Sequence, residues 1–322
     1  MSDKKNFILL FILGLLFMLL SYLIRISTGS AFAGYVITGA VIILCVVFSI
    51  YRRRHFVIAQ NAHIAYTRKQ FDTAYNLYEK AIALNKCPEE IKVVYAYKLL
   101  VQGHKATAEK LIASINEALL NKEGTFNLKV VKGILLFKND ELKPAIELYE
   151  SLIKEDSSPQ LYEILGILLN NYEDYEKARD FSKMALEKYP DNNIIKENLA
   201  TSYFYLYEDK KARKLYKELM NFDVTYPEPY YYYARIAFLD ERYNLALKYI
   251  EIAETKTPSY LSNVTMDVVS ELKSEIEAEL DKIPDELYEI EIIDETEHAE
   301  KVTDVLEIEN STENIEDLAV KK

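Results

Sequence analysis

The pattern of apolar and polar positions changes character along the chain. Near its start, Phe7 to Ile24 form 18 consecutive positions without a charge, and Ala31 to Ile50 form another 20. From about Phe56 to Pro258 the apolar residues recur three and four positions apart, the spacing of one face of a helix. Leu165, Leu168 and Leu169 mark one such face, and Ala178, Phe181 and Ala185 mark the next. From Leu261 to Ile283 the same period continues through Val264, Val268, Leu272, Ile276 and Leu280. After Pro284 it dissolves into acidic residues interleaved with Leu, Ile and Val, which reads as a disordered tail.

The two apolar runs predict a helical hairpin across a membrane. At 1.5 Å per residue the longer run reaches about 30 Å, the thickness of a hydrocarbon core. The link from Arg25 to Ser30 is just long enough to reverse the chain, and no A-x-A-like site follows the first run. Lys4 and Lys5 precede the first run and Arg52, Arg53 and Arg54 follow the second, so both ends are expected on the cytoplasmic side. This predicts a multi-pass protein of the inner (cytoplasmic) membrane, with both termini and the repeats cytoplasmic. Ser30 and Gly34 form a small-xxx-small pair that allows close packing of helices or self-association.

Within the central region the chain repeats itself. Ala74, Ala108, Ala145, Ala178, Ala212 and Ala246 stand 34, 37, 33, 34 and 34 residues apart. Twelve residues before each stands another small residue: Ala62, Ala96, Gly133, Gly166, Ala200 and Ala234. The physical reason is close packing, since only a small side chain fits where two antiparallel helices cross. An aromatic or large apolar residue precedes several of the alanines by three, as with Phe71, Leu142, Tyr175 and Tyr243. Proline marks most unit ends, at Pro88, Pro159, Pro190, Pro227 and Pro258. The 37-residue interval implies an insertion, expected around Leu120 to Thr125.

On these residues the chain resembles the tetratricopeptide-repeat family over about two-thirds of its length. The clearest unit reads Leu165-Gly166, Tyr175, Ala178, Ala185 and Pro190. The resemblance implies an all-α fold: the transmembrane hairpin over residues 1–50, then a right-handed solenoid of about six helix-turn-helix repeats with a C-terminal capping helix over 51–283. The acidic tail occupies 284–322. Stacked repeats need their last apolar face covered, which is the role read for Leu261 to Ile283.

The resemblance also implies a concave groove lined by the first helix of each hairpin. Its groove-facing positions fall on Tyr97, Leu100 and Val101, on Ile134 and Phe137, and on Asn170 and Asn171. They continue through Phe204 and Tyr205 to Tyr231, Arg235 and Phe238. Aromatic and Arg side chains suit interface anchors, and paired amides can bond an extended backbone. Family members that clamp the C-terminal carboxylate of chaperones use Lys, Asn and Arg on successive first helices. Here the corresponding surface is largely apolar, so that clamp is not supported.

Composition and charge narrow the function. Of the formal charge of −12, the stretch 285–322 carries −11, from 14 Asp and Glu against 3 Lys. The acidity therefore belongs to the tail, and neither it nor the remainder offers a basic stripe for nucleic acid. Residue usage rich in Tyr, Ile, Lys and Asn fits an AT-rich bacterial genome. Cys45 and Cys87 lack metal spacing, which fits a reducing compartment, and His55, His63, His104 and His298 are scattered. No glycine-rich phosphate loop, G-x-S-x-G or H-E-x-x-H occurs, so no enzyme and no cofactor are expected. The expected function is a membrane-anchored scaffold or adaptor that takes a protein or peptide partner in the groove at the cytoplasmic face. The alternative is a regulatory subunit of a membrane enzyme or envelope-assembly complex.

Overall fold

A computed structural model describes residues 54–84, 87–222 and 224–282, with scattered positions between 16 and 47. Its regular elements run α1 (Arg54–Thr67), α2 (Phe71–Ile82), α3 (Glu89–Val101), α4 (Lys105–Ala113), α5 (Lys122–Lys138), α6 (Leu142–Glu155) and α7 (Pro159–Asn171). They continue with α8 (Tyr175–Lys188), α9 (Asn193–Tyr205), α10 (Asp209–Met220), α11 (Glu228–Leu239), α12 (Tyr243–Glu254) and α13 (Met266–Leu280). Among the described residues there is no strand. By contact the chain divides into two compact units, 1–95 with 115–120, and 96–114 with 121–322.

In the first unit α1 packs on α2, and Ala62 and Ala74 are both fully buried there. Ala74, Tyr78 and Ala81 bury one stripe of α2, while Asp72 in its first turn and Lys80 in its last complement the helix dipole. Tyr78 stacks on Tyr95 with ring centroids 4.9 Å apart. Glu89 pairs with Lys92 at 2.9 Å and accepts the Asn116 backbone N–H at 3.0 Å.

The second unit is a run of antiparallel hairpins, α5 with α6, α7 with α8, α9 with α10 and α11 with α12. Each second helix also packs on the next first helix, and α7, α9, α11 and α13 pack in succession. The small residues lie where the pattern requires them. Ala96, Ala108, Ala145, Ala178, Ala200, Ala212, Ala234 and Ala246 are all fully buried. A methyl group on Gly133 would come within 2.5 Å of the Tyr149 ring, so α5 and α6 tolerate no side chain there. A large buried cluster surrounds α11, where Tyr230, Tyr231, Tyr232 and Tyr233 are all buried with Tyr216, Leu219 and Ile250.

Each hairpin turns through one left-handed residue: Lys69, Gly103, Asp140, Glu173, Tyr207 and Glu241 have φ between 58° and 82°. The residue after it reaches back five positions, as in Gln70 N–H to Ala65 O, Glu141 N–H to Leu136 O and Glu208 N–H to Tyr203 O. These bonds satisfy the orphan carbonyls of the first helix in a Schellman-type end.

Some expected boundaries move. The insertion is a short 3₁₀ turn at Glu117–Leu119, ahead of the expected Leu120 to Thr125. Asn121 already caps α5 there, its side chain accepting the Gly124 N–H at 2.7 Å. The capping helix begins at Met266, five residues into the expected Leu261 to Ile283, with Thr265 as its cap. Val269, not Val268, is the core residue of its first turn, beside Leu272 and Ile276.

The membrane placement is corrected. Among the described residues no helix is long and apolar enough to cross a membrane, which takes about 20 apolar residues in unbroken helix. The two-span topology, with the termini and repeats on the cytoplasmic side of the cell membrane, does not stand. The segments 7–24 and 31–50 expected as spans fall largely outside the described residues, as does the tail 284–322.

Candidate functional site

Side-chain amides tie α7 to α9 in the second unit. Asn198 of α9 donates through Nδ2 to Glu163 O at 2.9 Å, crossing directly over Gly166. Asn170 of α7 answers it, donating to Asn198 O at 2.9 Å. The Ser202 hydroxyl lies 2.9 Å from Asn170 Oδ1 and 2.8 Å from Asn198 O, and donates to one at a time. Glycine at 166 is what admits Asn198, since a methyl group there would strike its amide nitrogen.

Beside this ladder lies a cavity of about 70 Å³. Its walls are Asn170 and Asn171 of α7, Glu197 and Asn198 of α9, Glu228 at the first turn of α11, and the segment Ser259 to Ser262. That segment is held by Thr257 N–H to Thr225 O at 3.1 Å and by the burial of Leu261 and Val264. Its Ser262 hydroxyl donates to Glu228 Oε1.

The cavity is acidic, and none of the described residues lining it is basic. Glu197 and Glu228 are each only 8% exposed. Thr201 donates to Glu197 Oε1 at 2.7 Å, and its oxygen lies 3.1 Å from the Tyr216 hydroxyl. Burial, and then the charge of Glu228, push the Glu197 carboxyl up to about 8, against the pull of the Thr201 bond. Burial likewise raises Glu228, countered by Ser262 and by its own backbone N–H. The Tyr226 hydroxyl is raised by burial and then by these two carboxylates.

Of the positions projected onto the groove, Asn170 and Asn171 line this cavity. Asn170 is committed to the α7–α9 ladder, and Asn171 donates to Ile167 O at 2.8 Å. The remaining positions lie elsewhere. Tyr97 meets Tyr260 edge-on with centroids 6.2 Å apart, and Phe137 is half-buried with Lys138 Nζ 5.5 Å from its ring centroid. Tyr205 stacks on Tyr175 at 4.5 Å, and Phe204 lies 5.1 Å from Tyr232. Tyr231 is buried, Phe238 meets Tyr243 edge-on at 5.6 Å, and Arg235 pairs with Glu275 of α13 at 3.6 Å. The residues not anticipated are Glu197, Asn198, Glu228 and Ser262. An available signal was Glu197 itself, a carboxylate set between the apolar positions Ile195 and Leu199 of a first helix. Among the described residues no group of three or more His, Cys, Asp or Glu is placed to hold a metal.

Helical hairpins at 33- to 37-residue intervals, a small residue from each partner at the crossing and a Schellman turn between them define the architecture. The fold is that of a tetratricopeptide-repeat protein. No family model matches the chain, and no curated protein matches it. Among solved structures it is similar to a tetratricopeptide repeat protein from Parabacteroides merdae, with 12% identity and a TM-score of 0.48, over 70% of this chain and 99% of that one. A second is PilF of Pseudomonas aeruginosa, at 15% identity and a TM-score of 0.44, covering 60% of this chain and 90% of that one. The TPR2AB domain of yeast Sti1, solved in complex with an HSP90 peptide, matches at 16% identity and a TM-score of 0.31, over 70% of this chain and 98% of that one.

Proposed function

We propose that this tetratricopeptide array is a protein-interaction module, a scaffold or adaptor whose first helices receive an extended segment of a partner. The observation that carries the reading is the polar cavity on α7, α9 and α11, where amides and carboxyls gather against an otherwise apolar stack. Such groups serve recognition of a backbone and of one polar side chain. Of the projected groove positions, Tyr97 and Arg235 keep enough exposure to extend the contact on either side of the amides.

The test is a photoreactive residue placed at Asn171 in the cavity wall, and separately at Met184, exposed on α8. Irradiation in cells is expected to yield a discrete crosslinked protein from position 171 alone. The same products from both positions would overturn the reading.

A further inference from the structure

The cavity holds two carboxyl groups and nothing of opposite charge. Glu228 Oε2 is buried without a hydrogen-bond partner among the described residues, although Oε1 is taken by Ser262. Buried acceptors are normally satisfied, and an orphaned carboxylate oxygen is a costly exception that calls for a donor. Glu197 stands beside it, with Thr201 on one oxygen. The hydroxyls of Tyr216, Tyr226 and Tyr232 feel the charge of these carboxyls, and none of them supplies a positive charge.

Size narrows what the missing partner is. One water-sized group needs about 10–15 Å³ of such volume. A cavity of about 70 Å³ therefore holds roughly five non-hydrogen atoms, the number in a lysine side chain beyond its Cα. An ammonium head offers three rotatable donors and one charge, which suits scattered acceptors, whereas a guanidinium needs a flat site wide enough for its fork.

We propose that the cavity between α7, α9 and α11 is a receptor for one alkylammonium group, the side chain of a lysine on the bound partner, with Glu228 and Glu197 as its counter-ions. This rests on the interaction reading above and names the residue that the module selects. Ser262 lies over Glu228 and yields its bond to the incoming ammonium. A free amine of similar size carries the same chemistry, and the test separates the two sources.

The experiment titrates the full chain with n-butylammonium chloride, with tetramethylammonium chloride as the probe of equal charge and no donors. The readout is the carboxyl carbon resonance of Glu197 followed by NMR across pH. Butylammonium is expected to lower its titration midpoint by about one to three pH units, as an opposite charge within contact does, while tetramethylammonium leaves it in place. Glu228→Gln, which keeps the shape and removes the charge, is expected to abolish the shift. In the second arm, partner captured through position 171 is acetylated on its lysines before rebinding, and a tenfold or greater loss assigns the site to a partner lysine. Binding of butylammonium with no effect of acetylation assigns it to a free amine instead and overturns the partner assignment. No response to butylammonium in the unmodified protein overturns the receptor itself, whether or not position 171 captures a partner.

Discussion

The Asn198 amide lies across Gly166, donating to the Glu163 carbonyl at 2.9 Å through the space a side chain would fill. The repeat's small position is thus also the gate for a polar tie between neighbouring hairpins. Gly166→Ala gains about 1 kcal/mol in helix propensity, but overpacking typically costs about 1–3 kcal/mol. It also displaces the Asn198 amide, which takes its donor away from the Glu163 carbonyl. A net loss of about 1–2 kcal/mol in urea unfolding is expected. Adding Asn198→Ala should recover part of it, and strict additivity of the two changes would show that the contact is not the cause.

Stability should fall as pH rises through the range set by Glu197. Its carboxyl moves from an ordinary 4.5 to about 8 in the folded chain, so between those values the folded state holds a proton that the unfolded state releases. The unfolded state then binds fewer protons, and the free energy of unfolding decreases with pH by up to a few kcal/mol across the window. Glu197→Gln should flatten the dependence and raise the urea midpoint at pH 8 more than at pH 5. The slope left in that variant belongs to Glu228, raised in the same direction. Parallel pH profiles for the two proteins would count against this account.

The repeats were legible because their constraint is local and chemical: wherever two helices cross, size is limited at two linked positions, as at Ala200 and Ala212. The cavity was not, because Glu197 and Glu228 sit on different hairpins and meet only when α9 packs on α11. Ring positions were the hardest to assign. A first-helix aromatic one turn from the groove can face either the groove or a neighbouring hairpin, and Tyr205 takes the second course by stacking on Tyr175 of the preceding one. The left-handed turn residues left little trace in residue type, since Lys69, Asp140, Glu173, Tyr207 and Glu241 stand where only Gly103 is the glycine that the conformation favours. Their conformation is imposed by the bond that closes each first helix.

Tyr207 makes that imposed conformation measurable. Its φ is 58°, its side chain is 89% exposed, and the following N–H bonds to Tyr203 O at 2.9 Å. A left-handed residue with a Cβ costs roughly 1–2 kcal/mol, and glycine returns part of that gain through its freer unfolded state. Tyr207→Gly should therefore stabilise the protein by about 0.5–1 kcal/mol, as Gly103 already does in its own turn. A lower thermal midpoint for the variant would mean that the Tyr207 ring contributes packing that its exposure does not suggest.

The capping helix offers a direct contest between charge and burial. Glu275 reaches Arg235 of α11 at 3.6 Å, but the two side chains are 48% and 39% exposed. An ion pair so open to water contributes at most about 1 kcal/mol. One residue further on, Ile276 is fully buried with Val269 and Leu272 against the hairpin of α11 and α12. Deleting a buried isoleucine side chain to alanine costs about 2–5 kcal/mol, including the cavity it leaves. Glu275→Ala should leave urea unfolding within about 1 kcal/mol of the parent, with any change disappearing in high salt. Ile276→Ala should destabilise several-fold more and raise hydrogen exchange first in α11 and α12, whose outer apolar face α13 covers. If the two variants proved equally destabilised, the helix would be held by its ion pair and its role as an apolar cap would be wrong.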